Sequence, residues 1–146
     1  MLELIIAAVY AQALNVFESL VWTGGLWRLK PPFPRAEEKV RNEGYHLALA
    51  LAYVLPFTVL TWPNVLKALA PSILVWLLND VTWHFWSVYP RYWISWIKFY
   101  FNPRDTGVVW YARFLVCMVG VTPRRMLIIT LTRIAVLVVL AVAGLA

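Results

Sequence analysis

The chain has 146 residues, of which 62% are hydrophobic, 16% aromatic and only 14% charged, with a net charge of +6. Soluble domains carry about 45–50% apolar and roughly 25% charged residues, so an ordinary soluble domain is excluded. The apolar residues come in runs of about 20, the length that crosses a bilayer as helix, and they do not alternate in the roughly ten-residue segments of a transmembrane barrel.

The expected fold class is therefore an all-α integral membrane protein: a small bundle of four to five transmembrane helices in a single domain over residues 1–146, with an aromatic interfacial helix. The first span is expected at about 4–26. It starts after Met1-Leu2-Glu3 without Lys or Arg, so despite a faint cleavage-like Ala11-Gln12-Ala13 it reads as a retained helix rather than a signal. Gly24-Gly25 ends it, with Trp22 and Trp27 as interface anchors. The segment 28–42 holds Arg28, Lys30, Arg35, Lys39 and Arg41, and Pro31, Pro32 and Pro34 keep its first half out of helix. A basic excess in a short loop places it in the cytoplasm and the N-terminus outside, in a cell membrane. Glu37-Glu38 form a solvated face there.

Further spans are expected at about 43–61, with Pro56 as a kink, and 65–89, ended by Pro90. Residues 91–101 hold Tyr92, Trp93, Trp96, Phe99, Tyr100 and Phe101, the composition of a helix lying at headgroup level. The apolar stretch 108–121 is short for a span and is interrupted by Arg113, so a short or re-entrant helix is expected. The last span is expected at 126–146. The basic residues between spans set topology and touch membrane lipids, the expected partners, and no basic-aromatic soluble module points to nucleic acid. Cys117 is alone and has neither a disulfide mate nor zinc spacing.

Ionisable groups inside a span are expensive and are usually partnered or functional. Glu18, His46, Asp80 and His84 sit in apolar segments, and at about 1.5 Å rise per residue they share a layer roughly 10 Å deep near the cytoplasmic side. Gln12, Asn15, Glu18 and Trp22 recur at helical spacing as one stripe, and Glu43/His46 and Asp80/His84 each share a helix face. Glu43-Gly44-Tyr45-His46 resembles half of the di-iron carboxylate pattern. A second Glu-x-x-His is absent, and the family is not assigned on this motif.

Several functions fit this pattern. In the first, His46, His84, Asp80, Glu18 and, closer to bulk water, Glu43 hold a transition metal (zinc or iron). Metal-bound water is acidified towards neutrality, Glu18 or Asp80 acts as general base, and Arg113, Arg133 and Asn15 hold the substrate of a lipid hydrolase. In the second, Glu18 and Asp80 pair with Arg113 and Arg133, and the chain is a non-catalytic accessory or scaffolding subunit, a homo-oligomer or part of a larger membrane complex. In the third, His46 and His84 are the axial ligands of haem b. Proton or ion conduction by the buried acids and histidines is a further possibility.

Overall fold

A computed structural model of the protein describes residues 2–36, 45–114 and 117–144; the side chains of 45–46, 112–114 and 117–118 fall outside that description. The chain is mostly helical: α1 (Leu2–Thr23), α2 (Tyr45–Leu60), α3 (Leu69–Thr82), the single turn α4 (His84–Ser87), α5 (Trp93–Tyr100) and α6 (Pro123–Val142). Short 3-10 turns precede α3 and α5, at Val65–Ala68 and Pro90–Tyr92. Three helical stretches are long and apolar enough to cross a membrane: Leu2–Thr23, Val65–Ser87 and Pro123–Val142. The apolar part of α2, Leu47–Leu60, is shorter than these.

Local chemistry explains where the helices stop and start. Gly24 follows α1 with φ +67°, the left-handed conformation that glycine adopts without a Cβ penalty, and so terminates it. α6 opens with Pro123 in its first turn, where no amide donor is needed, and the Thr122 hydroxyl accepts from the Arg125 N–H at 3.2 Å.

The stretch 108–121, expected as a short helix, is instead an antiparallel hairpin of β1 (Trp110–Phe114) and β2 (Cys117–Val121), with Trp110 opposite Val121 and Phe114 opposite Cys117. Its residues are β-branched and aromatic (Val108, Val109, Trp110, Tyr111, Val119, Val121), which favours a pleated surface. A short apolar run does not by itself separate a helix from a pair of strands.

Two cores result. The first, between α1, α2 and α3, is built on Ala7, Ala11, Tyr53, Phe57 and Val75, with the alanines fully buried and allowing close helix approach. The second, formed by α5, the hairpin and the start of α6, holds Val88, Trp96, Tyr100, Val121 and Met126. Trp96 stacks on Tyr100 at 5.0 Å, and Phe33 meets Trp96 edge-on at 5.0 Å. The chain after α1 is tied to the end of α4: Trp27 N–H donates to Trp86 O at 2.8 Å, and Leu29 N–H to Ser87 O at 2.9 Å.

Candidate functional site

α1 packs mainly on α3, and the polar stripe of α1 lies in that seam. Asn15 and Ser19 are fully buried and Glu18 is nearly so. Asn79 of α3 is the hub. Its amide nitrogen donates to Asn15 Oδ1 at 2.8 Å and to Glu18 Oε2, while its carbonyl oxygen accepts from the Tyr53 hydroxyl of α2 at 2.6 Å. A primary amide has two N–H donors and one carbonyl acceptor, and all three functions are used. One turn further along, Gln12 and Asn15 both donate to Thr82 Oγ1 at 2.9 Å, and the Trp86 indole N–H donates to Gln12 Oε1 at 2.8 Å. Buried polar groups are costly unless hydrogen-bonded, and this ladder answers that cost by matching one helix to the other in register.

Asp80 faces elsewhere. Neighbouring helical positions are about 100° apart, so when Asn79 points at α1 and α2, Asp80 points at α6. There it forms an ion pair with Arg133. The two side chains are 14% and 12% exposed. The Arg133 guanidinium also lies 4.1 Å from the Trp76 ring centre, and Trp76 stacks on Tyr53 at 6.0 Å. Glu18, Asn79, Tyr53, Trp76, Arg133 and Asp80 thus form one belt across α1, α2, α3 and α6. Tyr100 of α5 is buried within electrostatic reach of Asp80, Glu18 and Arg133, and its hydroxyl accepts from the Trp110 indole at 3.2 Å. Burial pushes that hydroxyl far above the ordinary phenol range, and the Asp80 carboxylate adds to the shift. An open groove of about 350 Å³, lined by Trp76, Ile128, Ile129, Thr132 and Arg133, runs along the outer flank of the belt.

The expected metal ligands are distributed differently. His84 is buried, with Nδ1 at 2.9 Å from Val81 O. A carbonyl only accepts, so Nδ1 carries the proton, and Nε2 is buried with no hydrogen-bond partner among the described residues. His84 follows an interruption of the helix at Trp83 and packs on Phe85 and Trp93, with ring centres at 4.2 and 6.4 Å. Glu18 is bound to Asn79 and Asp80 to Arg133. Among the described residues no three His, Cys, Asp or Glu side chains come together as a metal-binding group. His46 lies in the first turn of α2 but its side chain is outside the described residues, as are all of Glu43 and the side chain of Arg113, whose backbone lies in β1.

The residues that organise the belt include several not singled out from sequence as site residues: Thr82, Trp76, Trp86 and, above all, Asn79. Asn79, Thr82 and Trp86 follow one another at helical spacing, which is the signal that was available. Compared with known protein families, characterised proteins and solved structures, the chain matches none.

Proposed function

We propose that this protein is a multi-pass cell-membrane protein that acts as a non-catalytic accessory or scaffolding subunit, either self-associated or within a larger membrane complex. The observation that carries this is the consumption of polar chemistry inside the bundle: Asp80 is held by Arg133, and the Asn79 amide joins Asn15, Glu18 and Tyr53. Such contacts are worth around a kcal/mol each in membrane bundles and fix helix register. α6 is the least buried of the three long apolar helices, and it leaves an apolar face for lipid or a neighbouring subunit. Arg28 and Lys30 follow α1, Arg91 follows the apolar stretch Val65–Ser87, and Arg124 and Arg125 lie in the first turn of α6, which supports a cytoplasmic position for 28–42 and an external N-terminus.

Native-gel sizing from lightly solubilised membranes, paired with elemental analysis of the purified protein, tests the proposal. The expected result is a particle well above the 16.8 kDa chain without a stoichiometric transition metal. A lone, metal-loaded chain would overturn it.

One observation favours a second reading, a metal or haem centre at His84. A carbonyl-tethered Nδ1–H with a free Nε2 is the arrangement metal-ligating histidines adopt. A bound transition metal or a Soret band that His84→Ala abolishes would establish that reading.

A further inference from the structure

Where the second long apolar stretch, Val65–Ser87, ends, the chain builds a small charged-aromatic row. Leu29 and Val88 form an isolated parallel bridge, and Tyr89 N–H donates to Leu29 O at 3.0 Å, which pins residue 30 beside residue 89. Lys30 Nζ lies 5.5 Å from the Tyr89 ring centre. The Tyr89 and Tyr92 rings are 6.3 Å apart, and the Arg91 guanidinium carbon is 5.0 Å from the Tyr92 ring centre. Two cations therefore flank two tyrosines in one continuous run. Lys30, Tyr89 and Arg91 are exposed and Tyr92 is partly so.

These cations differ from Arg35 and Arg133, each of which holds a carboxylate. Among the described residues no carboxylate lies within ion-pair distance of Lys30 or Arg91. Two cations on one aromatic row without a carboxylate mate leave positive charge that an anion from outside can meet. The row starts two residues past Ser87, the end of the apolar stretch Val65–Ser87, and Ile94 lies exposed just beyond it. Its occupant therefore meets charge, phenol hydroxyl and apolar surface together. That combination matches a phospholipid, whose phosphate and acyl chains are joined, and not a free anion.

We propose that Lys30, Tyr89, Arg91 and Tyr92 bind the phosphate of an anionic phospholipid in the adjoining leaflet. The proposal rests on membrane insertion, which extraction of the membranes at alkaline pH checks separately: an inserted chain stays in the pellet. The direct test uses the full chain in nanodiscs of phosphatidylcholine containing about 20% phosphatidylglycerol, with co-purified lipid measured by mass spectrometry after transfer to detergent. Wild type is expected to retain phosphatidylglycerol over phosphatidylcholine. Lys30→Gln with Arg91→Gln should lower that preference by about fivefold for each charge removed. Lys30→Arg with Arg91→Lys should keep most of it, and Lys67→Gln, in the 3-10 turn before α3, should leave it unchanged. Equal retention of the two lipids by wild type, or an undiminished preference in a double Gln variant that elutes as a folded species, overturns the proposal. Displacement of the lipid by millimolar inorganic phosphate, or by a short single-stranded oligonucleotide, would assign the row to a soluble anion and overturn it equally.

Discussion

Asp80–Arg133 and Arg35–Asp105 are the same pair of chemical groups in opposite surroundings. The first joins two long apolar helices, with both side chains about seven-eighths covered; in the second the arginine is 40% exposed and the aspartate 19%. Arg35 reaches Asp105 with two guanidinium nitrogens, lies 4.9 Å from the Phe99 ring centre, and ties the segment after α1 to the loop after α5. Water and salt reach the Arg35 pair and compete for it. The Asp80 pair is largely shielded from both, so removing Arg133 leaves a charge that water reaches poorly. Position, more than bond count, decides what an ion pair is worth.

The largest expected effect follows from breaking the inner pair on one side. Arg133→Ala should destabilise the protein by about 3–5 kcal/mol, because the Asp80 charge is stranded. Replacing both together, Asp80→Leu with Arg133→Leu, should recover most of that loss. Thermal unfolding in one fixed lipid or detergent system measures both; if the single and double variants lose equal stability, the pair is not coupled.

Asn79→Leu comes next. It removes both donors and the acceptor of the hub, taking one hydrogen bond each from Asn15, Glu18 and Tyr53, and should cost about 1–3 kcal/mol. Asn79→Asp should be worse than Asn79→Leu at neutral pH, since it sets a second carboxylate against Glu18. Of similar size is Ala11→Leu, which forces a large side chain into a fully buried contact of the first core and should cost about 1–3 kcal/mol.

The smallest effect belongs to the outer pair. Arg35→Ala should cost under about 1 kcal/mol, and that cost should shrink further in high salt. The Arg35 guanidinium, helped by the Gly107 N–H, holds the Asp105 carboxyl below its usual range. A carboxyl depressed in the folded state stabilises above its unfolded pKa of about 3.9 and loses that contribution as pH falls through the lower folded value. Melting curves of wild type and Arg35→Ala should thus differ near pH 6, and the gap should narrow as pH falls below about 4. A constant gap across that range would remove Asp105 from the account.

The sequence made some of this legible. Gln12, Asn15 and Glu18 stand out because three polar residues on one helix face in an apolar run need a matching face, and α3 supplies it. That the buried acids Glu18 and Asp80 pair with intramembrane arginines was also open to view, but which acid takes Arg133 was not. Two things were hidden. Asn79 and Asp80 are adjacent in sequence but serve different neighbours, and which neighbour lies on which side of α3 is a tertiary fact. Asp80 and His84 share a face in an ideal helix, yet Asp80 meets Arg133 of α6 whereas His84 packs on Phe85 and Trp93, and which neighbours flank that face is again a tertiary fact. The hairpin was also hidden, since Val, Trp and Tyr in a short run satisfy either a strand pair or a buried helix.

The pairing of α1 with α3 sets an order of events during synthesis. Asn79 follows Glu18 by 61 residues, and at about 5–20 residues per second the ribosome needs roughly 3–12 seconds to supply it. For that interval the nascent first helix lacks the Asn79, Thr82 and Trp86 groups that Gln12, Asn15 and Glu18 bond in the finished fold. Whatever shelters those side chains, an insertion machine or an intramembrane chaperone, is needed only until the third helix arrives.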